Sequence, residues 1–203
     1  MAVERITIGS RNPGKVNEWM KFLREFDIEA FGLWRYSYIP KPDENAATFL
    51  ENARIKASWY AKLTGSLVVA DDGGYEIDYL DGWPGVKSRR ILAGEAEGTD
   101  QELIDTVLEK MKGVLREKRT VSLTSAAALS DPDGKIIFED IAHSFGYIAE
   151  KCGPVIIPGY PFRSIHHIPE LNKTYAELTE EELKNRSHKR PVTEKLAKFL
   201  AEM

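Results

Sequence analysis

Cysteine is almost absent. Cys152 stands alone in 203 residues, so no disulfide can form within the chain and no Cys-x-x-Cys zinc site can be built. That thiol reads as a small packing residue, not as a nucleophile. No apolar run approaches the roughly 18 residues of a membrane-spanning helix. A basic excess is missing too: 28 Lys and Arg face 32 Asp and Glu, for a net charge of −4. This speaks against a general nucleic-acid or membrane-surface binder. It leaves room for one polyanionic ligand held by a few local cations. The opening Met1–Gly9 carries charge and lacks a long apolar core, so no signal peptide is expected and the expected location is the cytoplasm. Internal repeats and low-complexity linkers are also lacking. What is plentiful is apolar sequence, 42% of the residues. That is enough for a sizeable core in a single domain over 1–203, built as one body or two joined lobes.

The patterning predicts an α/β chain. Arg5 to Gly9 reads as a strand, Ser10 to Lys15 as a loop, and Val16 to Phe26 as a helix with Val16, Trp19, Met20, Leu23 and Phe26 in one stripe. Glu29 to Ile39 reads as extended. Thr48 and Glu51 form a capping box that opens a helix ending at Gly65. Lys56 on that helix is, by pattern alone, a surface lysine. Leu67 to Ala70 is a short buried strand. A helix is expected over Asp100 to Leu115. Strands follow over Thr120–Ser130 and Lys135–Phe138, joined by the hairpin signal Asp131-Pro132-Asp133-Gly134, and a further extended segment runs from Ile141 to Glu150. The middle of the chain is therefore antiparallel β between α/β halves. Gly153 to His167 is irregular and rich in Pro, Gly and aromatics. A short helix starts at Thr179, and Pro191 is expected at the first position of a last helix, Val192 to Met203.

Leu67-Val68-Val69-Ala70-Asp71-Asp72-Gly73-Gly74 is the stretch around which the rest is organised. Two carboxylates at the end of a buried strand suit a metal or a general base. The same letters also read as a strand followed by an Asp-Gly turn. By strand alternation the two acids face opposite ways. Gly9 to Lys15 matches G-x-x-x-x-G-K, but Val16 stands where a P-loop has its metal-binding hydroxyl, which argues against a P-loop ATPase. A phosphate loop at a helix N-terminus remains open, as does a plain turn. His188, Lys189 and Arg190 gather cations at another helix start, where the dipole disfavours them unless an anion intervenes.

Together these signals describe a nucleoside triphosphate site with Mg²⁺. Phosphates need N–H groups and lysines. Mg²⁺ needs one or two carboxylates. A base needs an aromatic face.

The motifs carry a clear resemblance. Ser10, Asn12 and Lys15, the run Thr48 to Ala57, Ala70-Asp71-Asp72-Gly73-Gly74-Tyr75, the run Leu80 to Arg90, Lys173 to Leu178 and Ser187-His188 stand in the order of the inosine triphosphate pyrophosphatase family. The chain resembles that family over nearly its whole length. The resemblance implies an elongated mixed β-sheet flanked by helices, two lobes with a central substrate cleft, and a homodimer. It implies Mg²⁺-dependent hydrolysis of nucleoside triphosphates, such as ITP, dITP and XTP, to the monophosphate and pyrophosphate. Asp72 would be the catalytic base and, with Glu44, a metal ligand. Ser10, Arg11, Asn12, Lys15, Lys56, Gly73, Tyr160, Phe162, Lys184, His188, Lys189 and Arg190 would bind the substrate.

Departures from the family cluster around the base. The aromatic loop Gly-Phe-Gly-Tyr-Asp-Pro reads Gly159-Tyr160-Pro161-Phe162-Arg163-Ser164. The serine after the acid pair is Gly73. The lysine four residues before Ser-His falls on Leu183, with Lys184 beside it. Ser-His-Arg reads Ser187-His188-Lys189-Arg190, so either cation could stand for the arginine. The phosphate end is expected to be intact and the base end remodelled. The alternatives are a pyrophosphatase with altered base preference, modified pyrimidines included, and a nucleotide sensor without turnover.

Overall fold

The computed structural model describes residues 5–93 and 97–203. Its elements, in order, are β1 (Arg5–Ile8), α1 (Pro13–Arg24), β2 (Glu29–Gly32), α2 (Phe49–Thr64), β3 (Val68–Ile77), β4 (Trp83–Pro84), α3 (Asp100–Lys110), β5 (Thr120–Ser130), β6 (Ile136–Ile148), β7 (His166–Ile168), β8 (Lys173–Thr174), α4 (Glu180–Arg186) and α5 (Lys189–Ala201). The sheet is mixed, in the order β2-β1-β3-β5-β6-β7-β8, with β4 paired to β3. β1 runs parallel to β2 and β3. β4, β7 and β8 join antiparallel. The mixed α/β class expected from the sequence is what the chain adopts.

Two compact units divide the chain. The first holds residues 1–73, 125–142 and 188–203; the second holds 74–124 and 143–187. Each has its own core. In the first, Ile6, Ile8, Trp19, Leu23, Val69, Leu129, Leu196 and Leu200 bring α1 and α5 against β1, β3 and β5. Ala53, Ala57, Ala70 and Ala128 form a separate cluster that lets α2 lie close to β3 and β5. In the second, Ile77, Leu103, Ile104, Val107, Met111, Val121, Ile148, Phe162 and Tyr175 pack α3 against the strands. Leu183 packs against this second core, which accounts for an apolar residue at that position. Cys152 packs there as well.

Several expectations change at the level of elements. The loop over Ser10–Lys15 is shorter, because α1 begins at Pro13 with Asn12 as its cap. Phe26 lies beyond α1 and is 37% exposed, so the stripe ends at Leu23. The extended stretch from Glu29 stops at Gly32, where the Trp34 ring folds back so closely that a Cβ on Gly32 would sit 1.9 Å from it. α3 stops at Lys110, before Gly113 takes a positive φ of 74°. β6 is unbroken where two extended segments were expected. α5 begins three residues early, so Pro191 is its third residue, still where its missing N–H has no intrahelical partner.

The largest change concerns the acid pair. β3 does not end at Ala70; it continues through Asp71, Asp72, Gly73 and Gly74 to Ile77. There is no Asp-Gly turn. A Cβ on Gly74 would stand 2.2 Å from Ser88 Oγ and 2.9 Å from the Gly85 carbonyl oxygen. Here glycine serves close approach, not a change of direction. The Tyr75 N–H donates to Ser88 Oγ at 3.0 Å, and β4 pairs with Glu76 and Ile77. The strand is thereby held in line past the glycines.

Candidate active site

Strand alternation divides the acids between two helical layers of the first unit. Val69 belongs with the α1/α5 core and Ala70 with the α2 cluster. Asp71 accordingly turns to α1 and α5, and Asp72 to α2.

Asp71 is 2% exposed. Its Oδ2 lies 3.1 Å from Lys15 Nζ and 3.3 Å from Lys189 Nζ, and its Oδ1 accepts from Trp19 Nε1 at 3.1 Å. Lys189 Nζ also lies 3.0 Å from Glu18 Oε2. Burial by itself raises the Asp71 pKa, but Lys15, Lys189 and Lys56 outweigh it and hold the carboxyl well below the usual range. Asp71 is thus a permanent buried anion among lysines.

Asp72 meets a different set. Lys56 Nζ donates to its Oδ1 at 3.0 Å and Asn52 Nδ2 to its Oδ2 at 3.2 Å. Lys56 Nζ also reaches Glu44 Oε2 at 2.8 Å. The Asn52 side-chain oxygen accepts from the Ala46 N–H at 3.1 Å, fixing the loop that carries Glu44. Lys56 is 7% exposed, which corrects the surface lysine read from the helix pattern. Its burial lowers the ammonium pKa, but Asp72, Glu44 and Asp71 more than reverse this and keep it charged. Glu44 is partly buried, which raises its pKa. Lys56, Lys41 and Lys15 bring it below the ordinary value. Glu51 stays on the surface as the partner of Thr48 in the capping box.

The first turn of α1 works differently from a bare phosphate loop. Asn12 Oδ1 accepts from the N–H groups of Gly14 and Lys15, at 2.9 and 3.3 Å. The Asn12 carbonyl takes the N–H of Val16, and Pro13 has none. The backbone donors of that helix end are therefore occupied. What the loop offers an anion is side chains: Asn12 Nδ2, the Ser10 hydroxyl, Arg11 and Lys15. Arg11 donates to the Ile39 carbonyl. Ser10, Arg11 and Pro13 form one wall of a cavity of about 560 Å³ whose other wall is Leu33, Trp34 and the 36–39 segment.

The remaining residues expected at the site fall in two places. His188 stands just before the first residue of α5, without a side-chain capping hydrogen bond, and is buried. Lys189 is buried between Glu18 and Asp71, as above. Arg190 pairs with Glu25 and Glu194, both at 2.9 Å. Tyr160, Phe162 and Lys184 belong to the second unit. There Arg163 lies 3.8 Å over the Tyr160 ring, and Phe162 meets Tyr75 edge-on at 5.2 Å. Lys184 is exposed on α4.

Asn52 and Glu18 were not singled out from the sequence, and Trp19 was read only as part of the apolar stripe of α1. Helical spacing could have found them. Asn52 precedes Lys56 by four residues, and Glu18 and Trp19 follow Lys15 by three and four, so each shares a face with a lysine already chosen.

Chemically, the first unit sets Lys15, Lys56 and Lys189 among Asp71, Asp72, Glu44 and Glu18. Three ammonium groups face four carboxylates. That balance suits a polyphosphate that arrives with a divalent cation, better than a bare polyanion. Glu44 and Asp72 both lie within 3.0 Å of Lys56 Nζ, so the two carboxylates stand close enough to share one cation, a place the ammonium takes here. Two such oxygen donors with substrate and water are a common Mg²⁺ set. No group of three or more His, Cys, Asp or Glu among the described residues forms a metal cage. No helix among them is long and apolar enough to cross a membrane.

Known proteins share this arrangement of sequence and fold. The profile of the Ham1 family matches residues 6–199. A dITP/XTP pyrophosphatase of Bacillus subtilis is 38% identical over 193 residues, covering 95% of each chain. The solved structure of a HAM1 protein from Coxiella burnetii superposes with a TM-score of 0.83 at 32% identity, over 98% of this chain and 99% of that one. The Staphylococcus aureus Ham1 protein does so with a TM-score of 0.81 at 30% identity, over 97% of both chains. With the match running through every element from β1 to α5, the chain belongs to the Ham1 family.

Proposed function

We propose that this chain hydrolyses nucleoside triphosphates, dITP and XTP foremost, to the monophosphate and pyrophosphate. The observation that carries the reading is the convergence of Lys56, Glu44, Asn52 and Asp72 on one side of β3, with Lys15 and Asn12 at the start of α1. Relatives of this length and similarity bear the name dITP/XTP pyrophosphatase.

In the proposed reaction a water oxygen attacks the α-phosphorus and the bridging α–β P–O bond breaks. Pyrophosphate leaves, and the water proton passes to the Asp72 carboxylate. Asn52 and Lys56 hold that carboxylate in place from two sides. A positioned carboxylate base contributes about 10²–10⁴ in rate. Asn12, Ser10, Arg11, Lys15 and Lys56 bind phosphate oxygens, since phosphoryl transfer depends mainly on positioning and charge neutralisation. Asp72 and Glu44 would hold Mg²⁺, which supplies further neutralisation and acidifies water. Tyr160, Phe162, Lys184 and His188 are assigned to the base and sugar, and Gly73, next to Asp72 in the chain, to the substrate as well. The working form is a homodimer.

One observation favours a shifted base preference within this reaction. Arg163 covers one face of Tyr160, the ring assigned to base stacking. A panel of ITP, dITP, XTP and the standard triphosphates with Mg²⁺, and with the metal chelated, tests the reading. Pyrophosphate release that is fastest with dITP and XTP and lost on chelation is expected. Orthophosphate as product would overturn the reaction. A preference for another base would overturn the choice of substrate.

A further inference from the structure

Lys189 is the first residue of α5, where a cation meets the positive end of the helix dipole. It is nevertheless buried, with its Nζ 3.0 Å from Glu18 and 3.3 Å from Asp71 Oδ2. The same carboxylate oxygen faces Lys15 Nζ at 3.1 Å. The side chains of Lys189 and Asp71 are 3% and 1% exposed, against 20% for Lys15. Asp71 therefore has one cation that is wholly internal and one that reaches the surface at the start of α1.

A lysine that grips a phosphate must loosen its hold on a carboxylate. Were Lys15 the only cation at Asp71, that exchange would strand a buried charge, which is strongly unfavourable. With Lys189 in place Asp71 stays paired. Glu18 in turn shares Lys189, so the internal cation does not neutralise Asp71 completely and Lys15 is still drawn into position.

We infer that Lys189, held by Glu18, is the resident counter-ion of Asp71 and thereby leaves Lys15 available to the substrate's phosphates. Lys189 is then a positioning residue that acts on Lys15 through Asp71. The inference rests on Lys15 being a phosphate contact.

Titration calorimetry of Mg²⁺-tripolyphosphate into the full chain reads this whether or not the chain hydrolyses a nucleotide. Lys189→Met leaves Lys15 as the one ammonium in contact with Asp71, beside the Trp19 N–H, and should weaken binding about tenfold, while Lys189→Arg stays within about twofold of the parent. Glu18→Gln turns Lys189 wholly to Asp71 and should tighten binding about threefold. Opposite signs from the two partners of one ion pair are not expected of a merely structural contact. Unchanged binding in Lys189→Met, or weakening in Glu18→Gln, overturns the inference. If Lys189→Met does not fold, the sign of Glu18→Gln decides. Lys15→Ala binding as tightly as the parent also overturns it. A parent chain that binds but releases no pyrophosphate removes the proposed reaction and leaves this inference standing.

Discussion

Asp71 and Asp72 are chemically identical neighbours, and the same change should injure the protein in two different ways. Asp71→Asn removes the anion shared by Lys15 and Lys189 and takes from the buried Lys189 one of its two carboxylate contacts, keeping Glu18. Removing one member of a buried ion pair costs about 3–5 kcal/mol. Lys189 keeps one carboxylate and Lys15 can turn outward, so the lower end, about 3 kcal/mol, is expected. For a chain of this size each kcal/mol lowers the melting temperature by about 2–4 °C, which predicts a drop of about 6–12 °C. The fraction that stays folded should still release pyrophosphate.

Asp72→Asn should do the reverse. The amide oxygen can still accept from Lys56, and Lys56 keeps Glu44 at 2.8 Å. The stability cost should be smaller than for Asp71→Asn, about 1 kcal/mol, because the new amide nitrogen faces the Asn52 Nδ2 donor and leaves it without its acceptor. The rate should fall about 10²–10⁴-fold, because an amide cannot take the water proton. Thermal unfolding followed by circular dichroism, beside pyrophosphate release from dITP, measures both effects on the same preparations. An Asp71→Asn chain that melts within 2 °C of the parent would refute the buried-anion argument. An undiminished rate in Asp72→Asn would refute the catalytic one.

Two further predictions concern the second unit. The His166 ring is buried among Tyr75 and Tyr175, at 5.5 and 5.7 Å, and burial, with Arg163 and His167 adding to it, lowers its pKa from 6.5 to about 4. The unfolded chain takes up this proton first, so stability present above pH 6.5 is lost as pH falls toward 4, by about 2 kcal/mol between pH 7 and 5. Urea denaturation of His166→Phe should show that much less loss, and parallel curves for the two proteins would contradict it. Gly74→Ala should cost about 1–3 kcal/mol by urea denaturation, since its Cβ would displace Ser88 from the Tyr75 N–H; an unchanged midpoint would contradict the close approach.

The fold was legible where side chains repeat with the period of their element. Val16, Trp19 and Leu23 are buried as their spacing predicts. The capping box of Thr48 and Glu51 and the stop at Gly65 stand where expected. Element ends were less legible, because tertiary contacts set them. Nothing local to Asp72-Gly73-Gly74 distinguishes a turn from a strand whose glycine admits Ser88 from fourteen residues away. The same holds at Gly32, where the ring that ends the strand belongs to Trp34.

At the site, residue type and alternation went further than position. Alternation alone separated Asp71 from Asp72. What it could not supply was the identity of the helix on each side, and that decides the chemistry. A carboxylate opposite α1 and α5 meets Lys15 and Lys189 and is held as an anion. A carboxylate opposite α2 meets Lys56 and Asn52 beside a second acid, Glu44. Lys56 shows why pattern misled: a lysine on the apolar face of a helix reads as an exposed exception until two acids are placed against it. Burying an ammonium is unfavourable unless partners compensate, so a lysine at an apolar position is itself a signal that anions lie on the facing strand. Read that way, Lys56 in the α2 sequence and the Asp71-Asp72 pair in β3 predict each other.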